Sequence, residues 1–140
     1  EVLTTFDIRM TRPNFEPVMN TAEIHAIEHL GATFLRNHKD FASKTIYFGP
    51  MGCRTGFYLI VRQAAGEDTD TLNASVLAAL REALADITAH TGAVPGAHRR
   101  ECGNYRCLSL AAAKAEAEKY LAVLDSRPQT FIYEKQEKGI

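Results

Sequence analysis

The sequence predicts an α+β fold, an antiparallel β-sheet packed against helices within a single domain. Three observations carry this. Stretches that alternate apolar and polar residues are interleaved with stretches of helical period, and short turns join them. The 140 residues are the size of one domain, with no repeat and no interdomain linker. A composition of 46% apolar and 24% charged residues suits a globular chain that buries a core without staples.

The elements follow in order. "VLTTFDIRM" sets Phe6, Ile8 and Met10 against Asp7 and Arg9, a half-buried strand that Pro13 and Pro17 end. "NTAEIHAIEHLGATFLRNH" begins with Asn20 as N-cap and has Glu23 three residues on, a capping-box pattern. Ile24, Ile27, Gly31, Phe34 and Leu35 then keep the helical period, predicting a helix from about Thr21 to about His38. "KTIYFG" is a short strand. Gly49, Pro50 and Gly52 are expected to turn the chain into "GFYLIVRQ", antiparallel to it. The longest helical stripe is Val76, Leu77, Leu80, Leu84 and Ile87, with Gly92 as its stop. "AVPGAHRRECGNYRC" is a loop without periodicity, and Ser109 can cap the alanine-rich helix after it. Phe131 and Tyr133 suggest a last edge strand.

Charge and cysteine usage narrow the function. With 16 basic and 17 acidic residues there is no basic excess to grip nucleic acid. No apolar run approaches the ~18–20 residues of a membrane span, and no signal peptide is visible. The chain begins at Glu1 inside a strand pattern, so a start further upstream, with or without a targeting segment, stays open. The three cysteines, Cys53, Cys102 and Cys107, have no framework spacing, which favours reduced thiols in a cytoplasm over a secreted disulfide scaffold.

The chemistry concentrates in "HAIEH". His25 and His29 stand at i and i+4, about 40° apart around the helix axis, and Glu28 lies about 60° from His25 on the other side. Two imidazoles on one face can hold one divalent ion, with a carboxylate beside its open side. Such a pair also arises by chance, but H-x-x-E-H is a metal-binding pattern. Cys102, followed by Gly103, is the candidate third ligand; a buried small apolar residue is the other reading of it. Two histidines and one cysteine leave a fourth position for water or substrate. Cys53 sits in "PMGCRTG" beside Arg54, where a partly accessible thiolate of lowered pKa makes a proton shuttle. It could instead complete a closed structural site. Cys107 reads as packing.

"IHAIEHL", "PMGCRTGFYL" and "ECGNY", in this order, closely resemble the S-ribosylhomocysteine lyase family, the enzymes that make the autoinducer-2 precursor. The opening "FDIRMTRPN" resembles that family's FD-(L/I)-RF-x-x-PN segment, so the likeness runs over nearly the whole chain. The resemblance implies a cytoplasmic homodimer with one divalent metal per subunit, ferrous iron or zinc, in sites at the dimer interface. The family's metal ligands map onto His25, His29 and Cys102, its catalytic groups onto Glu28 and Cys53, and its substrate-contacting arginine onto Arg9. The implied reaction cleaves S-ribosylhomocysteine to homocysteine and 4,5-dihydroxy-2,3-pentanedione. It moves a carbonyl along the ribose and then eliminates the thiol β to it. Glu28 and Cys53, on opposite sides of the ion, would divide the proton transfers.

Some positions depart from the family. Ala26 stands for a threonine, Tyr47 for an aspartate six residues before the cysteine, and Leu108 for a histidine six residues after the third ligand. If that aspartate holds the substrate amine, this chain must do so differently. The family's amino-terminal segment ahead of "FDIRM" is not in this sequence, so residues 1–140 are expected to be the metal-dependent lyase domain without it. Two rival readings remain. An inverzincin-type metallopeptidase would take its third ligand from Glu82, Glu116 or Glu118. A non-enzymatic structural zinc module would use Cys53 together with Cys102 and the two histidines.

Overall fold

The computed structural model describes residues 2–126. Three strands and three helices appear among them: β1 (Val2–Arg9), α1 (Thr21–Asn37), β2 (Thr45–Pro50), β3 (Gly56–Gln63), α2 (Thr69–Ala89) and α3 (Leu110–Ser126). The sheet order is β1-β3-β2, and both pairings are antiparallel. The α+β expectation therefore holds. The edge strand expected at Phe131 and Tyr133 lies outside the described residues. None of the described helices is long and apolar enough to cross a membrane.

β3 is central because its alternation is the cleanest. Phe57, Leu59 and Val61 are buried, whereas Tyr58 and Arg62 face out. On one side Ile8 pairs with Phe57 and Phe6 with Leu59; on the other Phe48 pairs with Leu59. Among the described residues β2 is an edge strand, and this is why it tolerates Pro50. Its register shifts between Thr45 and Tyr47, which leaves Ile46 and Tyr47 exposed. The buried face of the sheet packs on Ile27, Gly31 and Leu35 of α1 and on Val76, Ala79, Leu84 and Ile87 of α2, around an apolar cavity of only about 30 Å³. α3 closes the core with Ala113, Ala117, Tyr120 and Leu124. Burial, with Asp7 nearby, pushes the Tyr120 phenol up to about 12, so it stays a neutral hydroxyl.

Helix ends follow the sequence unevenly. Ser109 Oγ accepts from the Ala112 N–H at 3.2 Å, as expected for a cap of α3. Asp68 does the same for α2 through the Thr71 N–H at 3.1 Å. Asn20 occupies the N-cap position of α1 with extended backbone, yet its side chain makes no capping bond. The capping box does not form: Glu23 is 7% exposed and lies beside Glu116 of α3. Burial, and Glu23 beside it, push the Glu116 carboxyl up.

The turn between β2 and β3 also differs from expectation. Gly49 and Pro50 belong to β2, and the turn begins at Met51, whose N–H donates to Gly56 O at 2.9 Å. Its left-handed residue is Arg54 (φ 61°), not a glycine. Gly52 has open space around it, so a side chain there meets nothing within 4 Å. Gly56 is the glycine that contact requires: a Cβ would lie 2.1 Å from Ile8 O, on the backbone of β1. Gly56→Ala is therefore expected to cost roughly 1–3 kcal/mol in urea unfolding, while Gly52→Ala is neutral or slightly stabilising. Equal midpoints for the two variants would refute this account of the turn.

Candidate metal centre and thiol site

α1 delivers both imidazoles from one rigid face, as the i, i+4 spacing requires. Their orientation comes from elsewhere. His25 Nδ1 lies 2.7 Å from Cys107 O, and His29 Nδ1 lies 2.8 Å from Pro95 O. A carbonyl oxygen only accepts, so each Nδ1 carries the hydrogen and each Nε2 keeps a free lone pair. Those lone pairs converge. His29 Nε2 is 3.0 Å from His25 Nε2, and Cys102 Sγ is 3.2 Å from His25 Nε2. All three donor atoms lie within 4.8 Å of one another. One ion with bonds of about 2.0–2.3 Å spans that separation. Two facing lone pairs repel unless a cation or proton lies between them, so the chemistry of the donor set fits a divalent metal. The three residues are half-buried, which leaves a side open to solvent.

The loop that carries Cys102 is short of regular structure but not of bonds. The Glu101 and Cys102 N–H groups both donate to His98 O at 2.9 Å, a tight turn that aims Cys102 at α1. Gly103, expected to turn the backbone near the ion, has ordinary φ and open surroundings. The required glycine is Gly96. Its φ is +74°, and a Cβ there would lie 2.9 Å from His29 Nδ1. Cys107 is half-buried, in keeping with packing, but its carbonyl orients His25, a role no side-chain letter announces.

Glu28 shares a concavity of about 820 Å³ with His29, Arg36, Tyr47, Gly96 and Glu101. Tyr47, the departure from the family pattern, thus borders the same space as the metal face. Its ring folds over Gly49, where a Cβ would lie 2.0 Å from Tyr47 Oη.

Cys53 and Arg9 form a second cluster. Cys53 is exposed, with Sγ 3.0 Å from Thr55 Oγ1. Arg9 Nη1 donates to the same Thr55 hydroxyl at 2.9 Å, and its Nε and Nη2 donate to Asp7 at 3.1 and 2.7 Å. Hydrogen bonds from Thr55, with the Arg9 charge adding, hold the Cys53 thiol below its usual range. The sequence pointed to Arg54 as the activating cation; the structure gives that part to Arg9, which reaches the turn from the end of β1. Arg54 instead ties the turn to the metal helix, since the Met19 N–H, just ahead of α1, donates to Arg54 O at 3.0 Å. Asp7 and Thr55 occupy three donors of Arg9 and leave one hydrogen on each Nη for a ligand.

This arrangement bears on the rival readings. Among the described residues, the donor group is His25, His29 and Cys102; Cys53 is not part of it. That is not the four-ligand closure of a structural zinc module. The peptidase's candidate third ligands are also elsewhere. Glu82 pairs with His38 at 3.0 Å, Glu116 faces Glu23, and Glu118 is exposed.

Residues 1–130 match the family model of S-ribosylhomocysteinase (LuxS). The chain is 58% identical over 120 residues to the S-ribosylhomocysteine lyase of Clostridium beijerinckii, covering 86% of this chain and 72% of that protein. It is 57% identical over 125 residues to that of Clostridium acetobutylicum, covering 89% and 75%. With that of Finegoldia magna the identity is 51% over 135 residues, covering 95% and 81%. A metal-ready triad beside a carboxylate, a separate activated thiol, and matches of this extent agree: the chain belongs to the S-ribosylhomocysteinase (LuxS) family.

Proposed function

We propose that the chain is an S-ribosylhomocysteine lyase in which His25, His29 and Cys102 hold one ferrous iron or zinc ion, Glu28 and Cys53 move protons, and Arg9 contacts substrate. The observation that carries this is the convergence of His25 Nε2, His29 Nε2 and Cys102 Sγ, with Cys53 left outside the set. When bound, the ion supplies Lewis-acid stabilisation to the negative charge that develops on sugar oxygens. Ligand softness suits either metal.

The reaction needs two proton-transfer groups and no oxidant, because homocysteine and 4,5-dihydroxy-2,3-pentanedione together contain the atoms of the substrate. A proton leaves the carbon next to a carbonyl and returns one carbon over, twice, which moves the carbonyl to C3. The C4 proton is then acidic, and its removal expels the sulfur from C5. Cys53, held below its usual range, is the group that takes and returns a proton. Glu28, in the concavity beside His29, is the base for the elimination. That concavity accommodates a molecule of this size, and in this reading Arg36 and Tyr47, which line it, meet the amino-acid end.

The protein acts as a cytoplasmic homodimer in this reading. Support comes from the exposed apolar groups Phe15, Val18, Ile46, Tyr47 and Tyr58, which a second copy would cover. The product role as a signal precursor rests on the family alone.

Three outcomes are expected. Incubated with S-ribosylhomocysteine and ferrous iron, the protein releases a titratable thiol. Cys53→Ala keeps its metal and loses turnover by ~10²–10⁴-fold. Cys102→Ala loses metal as read by elemental analysis after dialysis, and turnover with it. Metal loss from Cys53→Ala would mean that the thiol is a ligand, and the reading fails.

A further inference from the structure

Thr55 has a chemical position that no reading of the sequence assigned. It is 3% exposed. Its hydroxyl accepts from Arg9 Nη1 at 2.9 Å and lies 3.0 Å from Cys53 Sγ. A threonine hydroxyl has one hydrogen to give. With Arg9 donating into a lone pair, that hydrogen is free to point at Cys53 Sγ, and Met51 Sδ at 4.0 Å is the more distant alternative. Two other threonines with buried hydroxyls, Thr11 and Thr45, leave them without a partner. Filling space therefore does not require the bonds that Thr55 makes. The Thr55 backbone is also fixed, since its carbonyl accepts from the Met10 and Thr11 N–H groups at 2.9 and 3.0 Å. The hydroxyl is thus a rigid post at the end of β1, between a cation and a thiol.

We propose that Thr55 is a positioning residue for proton transfer: its hydroxyl, polarised by Arg9, donates to Cys53 Sγ and so couples the β1 cation to the thiol at the turn. A hydroxyl that already accepts from a guanidinium is a stronger donor, and the bond favours the thiolate, which can only accept. The charged and titratable groups around this chain are Arg9 and Asp7 on β1, Tyr58 on β3, and Tyr120 on α3 beside Asp7. Asp7 holds the fork of Arg9 in place, so the order of hydrogen bonds is Asp7, Arg9, Thr55, Cys53.

This rests on Cys53 as the proton-transfer group, but the test does not need substrate. Metal-loaded protein is alkylated with iodoacetamide across a pH series, and Cys53 modification is separated from that of Cys102 and Cys107 by peptide mass spectrometry. Thr55→Val is expected to raise the midpoint by about one pH unit, so that alkylation below the midpoint slows ~tenfold. Thr55→Ser restores the wild-type midpoint. The acidic limb of kcat/KM moves with it. Arg9→Met raises the midpoint in the wild-type background and has a much smaller effect in Thr55→Val, because the coupling runs through the hydroxyl. Thr55→Ala replaces the valine variant if that fails to fold. An unchanged midpoint, a shift that serine does not reverse, or an Arg9 effect that persists in full without the hydroxyl overturns the proposal. A midpoint shift in protein that releases no thiol from S-ribosylhomocysteine would count against the lyase reading and leave the Thr55 coupling standing.

Discussion

The structure turns on two hydrogen bonds that no ligand side chain announces: His25 Nδ1 to Cys107 O and His29 Nδ1 to Pro95 O. α1 fixes where the imidazoles start, but these carbonyls fix which nitrogen of each ring turns toward the other donors. Each bond is worth only about 0.5–1.5 kcal/mol net. Their larger effect is on chemistry, because they set the tautomer and aim both lone pairs at one point. They also pin both ends of the loop between α2 and α3 to α1, and Cys102 lies between those ends. The loop thus reaches α1 because the histidines hold it there, and the imidazoles keep their orientation because the loop holds them.

A second arrangement complements the first. Cys53 is kept apart from the donor set that contains Cys102, and different elements supply each. Cys102 comes from a loop clamped on α1. Cys53 comes from the turn between the edge strand and the central strand, with its environment set by Arg9 and Thr55. The separation has a chemical reason. A coordinated thiolate has its charge taken up by the ion and is a poor base, whereas a free one of lowered pKa can take and return a proton near neutrality. The bond from Met19 N–H to Arg54 O joins the two parts by fixing the thiol turn to the start of the metal helix.

Much of this was legible in the sequence, for physical reasons. The i, i+4 histidines need only helical geometry, and periodicity in Ile24, Ile27 and Leu35 supplied the helix. β3 was legible because Phe57, Leu59 and Val61 alternate with outward residues. Other features were out of reach. Carbonyl oxygens carry no letter, so Pro95 and Cys107 could not be read as orienting groups, and Gly96 drew no attention in a loop without period. Arg9 and Thr55 are 46 residues apart and meet only because β1 pairs with β3, so proximity in sequence pointed to Arg54 instead. Glu23 matched a local capping rule but is buried beside Glu116 of α3 instead. The left-handed Arg54 shows the same priority of tertiary context, since glycines flank the turn yet the strained backbone falls on an arginine.

The central claim is that one sulfur and two imidazole nitrogens bind the ion and that the second thiol stays free. X-ray absorption at the metal edge of resting, substrate-free protein tests it most directly. The account predicts two nitrogen scatterers at about 2.0–2.1 Å and a single sulfur at about 2.3 Å, with the remaining position filled by a light atom. A second sulfur in that shell, or none, would contradict it.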